Sequence, residues 1–109
     1  MPLPVSTIPS ANADTLLYTT PATTAASVTV SICNRGSQPV TFGVAITGGA
    51  AAPTNAEWRF FNCPLQPGQS MMSAPYALLA AQRVYVRASA ADVAFALDGV
   101  EEPVIEMDA

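Results

Sequence analysis

Histidine and lysine are both absent from this sequence, whose four cationic side chains are all arginine. The first absence removes imidazole, the commonest acid–base group near neutral pH and the commonest zinc ligand. The second, together with a net charge of −4, leaves no diffuse cationic surface to displace counterions from a phosphate backbone. Nucleic acid is therefore not an expected partner. Cys33 and Cys63 are the only thiols, too few for a disulfide scaffold and, without a CxxC spacing, too few for a zinc site. No glycine-rich loop leads into a helix to cradle phosphate, and the carboxylates are scattered or terminal. Glu101-Glu102 reads as a solvated run, and Asp92 and Asp98 as solubilising or turn-forming. The expectation is a non-enzymatic chain with no cofactor and no metal. No apolar run approaches the roughly 20 residues that span a bilayer, and Met1-Pro2-Leu3-Pro4 lacks the cationic start of an export signal. Neither a membrane segment nor a signal is expected.

Charge is scarce as well. Only 11% of the residues are charged and 50% are hydrophobic, against roughly 25% charged in soluble domains. A monomer with such a surface has little electrostatic protection from its neighbours, whereas a subunit of a larger assembly hides it in contacts. A chain of 109 residues has interior for one core, so one domain is expected.

What is present is alternation. Successive strand residues face opposite sides, so a half-buried strand shows apolar residues at every second position. Val28, Val30 and Ile32 form one such set, and Val40, Phe42, Val44 and Ile46 a second that leaves Thr41, Gly43, Ala45 and Thr47 outward. Trp58 and Phe60 are assigned to the same interior, as are Val84, Val86 and Ala88, and then Val93, Phe95 and Leu97. A further strand around residues 16–19 has ambiguous parity. Asn34-Arg35-Gly36-Ser37 reads as a tight turn in which Gly36 is free to take positive φ, and Gln66-Pro67-Gly68-Gln69 as a type II turn. Residues 76–81 read as a helical turn or a strand. The pattern predicts an all-β fold, a single antiparallel β-sandwich of immunoglobulin-like or jelly-roll-like kind.

Prolines 2, 4 and 9 make residues 1–13 an extended N-terminal arm, the sandwich occupies residues 14–100, and residues 101–109 form an acidic C-terminal arm. Leu3, Val5 and Ile8 in the first arm and Val104 and Ile105 in the second are the side chains expected to contact neighbours, Val104 and Ile105 by strand addition or as part of a solvated end.

The predicted outer faces carry the candidate surface. One strand presents Arg83, Tyr85 and Arg87, another Glu57, Arg59, Phe61 and Cys63. Arginine and aromatic residues are enriched at protein interfaces, and these two stretches hold all but one of the arginines. Cys33 and Cys63 both fall out of phase with the interior set, so both are expected to point outward, as a disulfide between adjacent strands, a bond to a neighbouring subunit, or free thiols.

Four segments carry a family resemblance: Leu17-Tyr18-Thr19-Thr20-Pro21-Ala22, Val28-Thr29-Val30-Ser31-Ile32-Cys33-Asn34-Arg35, Pro64-Leu65-Gln66-Pro67-Gly68-Gln69 and Val84-Tyr85-Val86-Arg87-Ala88-Ser89. In this order they resemble small β-sandwich structural proteins of tailed bacteriophages. The resemblance spans roughly residues 15–99 and contains no catalytic signature. It implies a capsid decoration or neck, collar or tail accessory subunit, assembled in the host cytoplasm into the virion. Its implied partners are copies of itself, as a homo-oligomer with a trimer favoured, and other virion proteins, with neither nucleic acid nor membrane. A receptor- or carbohydrate-binding adhesin module of a tail appendage is the second reading. It needs an exposed aromatic platform, for which Tyr76, Tyr85 and Phe61 are available while Trp58 is expected inside.

Overall fold

The computed structural model describes residues 4–49 and 52–104. Its strands are β1 (Val5–Thr7), β2 (Thr15–Thr19), β3 (Thr24–Asn34), β4 (Val40–Thr47), β5 (Trp58–Leu65), β6 (Ser70–Met72), β7 (Tyr76–Leu78), β8 (Arg83–Ala88) and β9 (Val93–Pro103), with a 3-10 turn at Asn55–Glu57. They form two antiparallel sheets packed face to face, a β-sandwich. The first sheet runs β1-β9-β3-β6 with β7 also paired to β3, and the second runs β2-β8-β4-β5.

β6 and β7 behave as one strand broken at Ser73. They pair with β3 at Ile32 and at Ser27, respectively. Between them, Val30 donates its N–H to Ser73 Oγ at 2.9 Å and accepts from the Ser73 N–H at 2.8 Å. Counted as eight strands, the sheets read 1-8-3-6 and 2-7-4-5, a jelly-roll order of two interlocked Greek keys.

Period-two burial builds the core. Val28, Val30 and Ile32 of β3 and Val93, Phe95 and Leu97 of β9 face Val40, Phe42, Val44 and Ile46 of β4 and Val84 and Val86 of β8, all buried. Phe42 and Phe95 meet across the sheets edge to face, with centroids 6.5 Å apart. Each fully buried apolar side chain of this kind contributes about 1.5–3 kcal/mol by leaving water. The ambiguous parity around Leu16 comes from a bulge in β2: the register shifts between Leu16 and Tyr18, so Leu17 and Tyr18 are both buried and Leu16 is exposed.

Several expectations need correction. The N-terminal segment is not wholly an arm, because Val5–Thr7 pairs with Phe95–Leu97 and Val5 packs on its own core. Ile8 is exposed, and Leu3 lies outside the described residues. Residues 101–103 are not part of an arm. β9 stays paired to β3 as far as Pro103, and Val104, itself exposed, donates its N–H to Thr23 O at 2.8 Å. Ile105 lies outside the described residues. Of the two readings of residues 76–81, the strand is the one that forms, over Tyr76–Leu78. Gly36 does not have positive φ. Its small size serves a close approach instead, since a Cβ there would sit 2.6 Å from Asp92 Oδ2. The turn at Gln66 forms as expected, with Gly68 at φ 73° and Gln69 N–H donating to Gln66 O at 3.0 Å.

One buried polar residue organises the end of the sandwich. Asn34 Nδ2 donates to Gln38 O at 2.8 Å and to Leu65 O at 3.1 Å, while its Oδ1 accepts from the Gly36 N–H at 2.9 Å. The side chain is fully buried and ties β3 of the first sheet to β5 of the second.

Candidate interaction surface

The outer face of the second sheet is built by a row of four residues in register. Leu16 pairs with Tyr85, Tyr85 with Ala45, and Ala45 with Trp58. Ala45 alternates with inward Val44 and Ile46, and Tyr85 with inward Val84 and Val86, so all four point away from the core. The middle of this outward face is nevertheless dry: Ala45 and Thr47 are fully buried and Tyr85 is only 5% exposed. Its flanks are not, with Leu16 at 44% and Phe61 at 56% exposure.

Trp58 stands on this face, and its placement corrects the expectation that it lies inside. β5 carries two bulges. One step along β4, from Ala45 to Val44, matches two along β5, from Trp58 to Phe60, and the next two steps to Phe42 match three to Cys63. Asn62, at φ 51°, takes the left-handed turn of the second bulge. Each extra residue reverses the side on which the following residues emerge. Trp58 therefore lies outward beside Ala45, while Phe60 lies inward against Phe42 with centroids 5.6 Å apart. Gly43 gives the indole its seat: a Cβ at that position would fall 2.9 Å from Trp58 Cζ3. The Arg87 guanidinium lies 5.0 Å from the indole centroid, and Phe61 leans on the indole at 5.7 Å and 59°. Arg87 is itself fixed by Asp14, with Nε donating to Oδ1 at 2.6 Å. Asn55, Trp58 and Phe61 line a surface depression of about 350 Å³.

Of the expected surface residues, the structure joins Phe61, Tyr85, Arg87 and Arg83, whose Nη1 donates to Tyr85 Oη at 3.5 Å. The other two lie elsewhere. Glu57 closes the 3-10 turn, where its Oε1 accepts from the Thr54 N–H at 2.8 Å and from the Thr54 hydroxyl at 3.1 Å. These bonds hold its carboxyl below the usual range. Arg59 is exposed within the first bulge, and its charge is felt at the Tyr76 phenol of the first sheet. Burial pushes the Tyr76 phenol up, opposed by a hydrogen bond with Ser73 and by Arg59.

The cysteines separate. Cys33 alternates with inward Ile32 and sits half-buried on the outer face of the first sheet, as expected. Cys63 does not point outward. The bulges turn it toward Phe42, and it packs against the core. Both are free thiols, and since they belong to different sheets they are not a pair on adjacent strands.

Among the described residues no three His, Cys, Asp or Glu side chains come together. No protein-family model, no curated protein and no solved structure matches the chain.

Proposed function

We propose that the chain is a non-enzymatic structural subunit of a bacteriophage virion, a decoration or a neck, collar or tail accessory protein, held to its neighbours through the outer face of the second sheet. The observation that carries the contact surface is the row Leu16–Tyr85–Ala45–Trp58 with Phe61 at its end. Its centre is already covered within the chain, while Leu16 and Phe61 at its flanks are large apolar side chains left in water, and it is these that offer a partner apolar surface to bury. The edges of this sheet are poor templates for strand addition. β5 is interrupted by two bulges and carries Pro64, and β2 is short and bulged. Contact through the face is thereby favoured over contact through the edge. The virion assignment draws on the four strand-and-turn segments that resemble phage structural proteins and on the scarcity of charge.

A second reading has an observation of its own. Trp58 lies at the surface with Phe61 and the Asn55 amide around one depression, which is the aromatic platform an adhesin for carbohydrate requires. Jelly rolls serve both viral shells and lectins, so the fold alone does not choose between them. Sedimentation of the full chain separates the two. The structural reading expects a trimer or larger species that Leu16→Ser with Phe61→Ser reduces to a folded monomer. A wild-type monomer that binds oligosaccharides would replace it with the second.

A further inference from the structure

The cleft at Asn55, Trp58 and Phe61 has a chemistry of its own. Two aromatic rings tilted at 59° stand beside an exposed side-chain amide. Proline rings pack flat on aromatic faces, and a polyproline II segment has no internal hydrogen bonds, so its carbonyls remain open to an amide donor. An aromatic notch with one amide at its rim therefore suits a short proline-containing strand, and the Arg87 guanidinium beside the indole is already engaged by Asp14.

The chain carries such a segment. Pro2 and Pro4 flank Leu3, immediately before β1. Pro64 and Pro67 are also close in sequence, but they belong to β5 and the turn that follows it, around a fully buried Leu65. We infer that residues 1–4 of one copy dock in the Trp58–Phe61 cleft of a second copy. The inference rests on the reading of the second sheet's outer face as a contact surface and names what covers it.

Geometry makes the contact intermolecular. β1 is an edge of the first sheet and lies beside β2, one edge of the second sheet, whereas Trp58 stands on β5, the opposite edge. Crossing from β2 to β5 takes three strand spacings, about 14 Å, and rounding the sandwich adds about 10 Å. Pro2 is three residues from Val5, a span of at most about 11 Å. Whatever precedes it in the chain, Pro2 cannot reach its own Trp58. Each copy thus gives one segment and accepts one, a head-to-tail contact that closes into a ring or grows into a filament.

Trp58 is the only tryptophan, so its fluorescence reports the cleft alone. A synthetic peptide of residues 1–9 titrated into dilute full chain should shift Trp58 emission saturably. The same peptide with alanine at both proline positions 2 and 4 should bind at least about tenfold more weakly, equivalent to about 1.4 kcal/mol. In the full chain, Pro2→Ala with Pro4→Ala should reduce assembly to monomer, as should Phe61→Ser. An equimolar mixture of those two variants should form dimers and stop there, because it contains one intact segment and one intact cleft per pair. Assembly of the proline variant at wild-type strength while Phe61→Ser remains monomeric would overturn this inference and leave the contact surface standing. Assembly unchanged in both variants would overturn both. A Trp58 response to an acidic peptide of residues 101–109 or to oligosaccharides, with none to the proline peptide, would give the cleft to another occupant.

Discussion

The phenol of Tyr18, on β2 of the second sheet, donates a hydrogen bond to the carboxylate of Glu101, on β9 of the first. Eighty-three residues separate the two in sequence. The bond staples the sheets together at the end where β9 leaves the sandwich, and it explains why Glu101 belongs to the domain and not to a solvated tail. Burial first, and then the Glu101 bond and charge, push the Tyr18 phenol well above its ordinary value. Tyr18→Phe should cost about 1–2 kcal/mol in urea unfolding, the hydrogen bond plus part of the desolvation left on the carboxylate.

The same residue sets an alkaline limit. Above about pH 10 the unfolded tyrosine ionises while the folded one keeps its proton. The unfolded state then binds fewer protons than the native state, so unfolding free energy falls as pH rises. The stabilisation is complete below about pH 10 and is lost as pH climbs through the folded value. Tyr76 is raised too and acts in the same direction. Unfolding curves between pH 8 and pH 12 should therefore show a decline that Tyr18→Phe reduces without abolishing.

Asn34→Ala is expected to destabilise by about 2–3 kcal/mol, because it strips partners from the Leu65 and Gln38 carbonyls and the Gly36 N–H at one stroke. Denaturant midpoints measure it. A loss below about 0.5 kcal/mol, the size of an ordinary surface substitution, would mean that the ties are not formed.

Gly43→Ala tests the seat of Trp58. The added methyl meets Trp58 Cζ3 at 2.9 Å and Phe60 O at 3.0 Å, so the indole must lift. A red shift of Trp58 emission and a cost of about 1–3 kcal/mol are expected. An unshifted spectrum would place the indole elsewhere.

Much of this was legible from the sequence, for a physical reason. Where strands run without interruption, as from Val28 to Ile32, Val40 to Ile46 and Val93 to Leu97, side chains alternate strictly and the interior can be read off directly. The misreadings gather where an extra residue breaks the alternation. Simple parity puts Trp58 and Cys63 on the wrong sides because two bulges in β5 reverse its phase, and only Asn62, a residue tolerant of positive φ, hints at one of them. β1 was missed because Val5–Thr7 is a three-residue edge strand with prolines around it, whose pairing depends on a partner ninety residues away. The candidate surface was half legible. Phe61, Tyr85 and Arg87 follow from their types and parity, but the outward place of Trp58, which joins Phe61 to Arg87, is visible only with the register.

Free thiols give a simple check on the two-sheet assignment. A disulfide within the chain would be worth about 2–4 kcal/mol, so unfolding curves with and without reductant should differ by that amount if Cys33 and Cys63 were joined. They are expected to superimpose.

The contact surface itself is tested most directly by hydroxyl-radical labelling of the full chain, dilute and then concentrated, with the oxidised positions identified by mass spectrometry. Leu16, Trp58 and Phe61 should be labelled when dilute and protected when concentrated, while Met72 and Leu79, exposed elsewhere on the molecule, stay labelled throughout. Equal labelling of Phe61 and Trp58 under both conditions, in protein that has demonstrably assembled, would contradict the assignment of this face as the surface through which the chain acts.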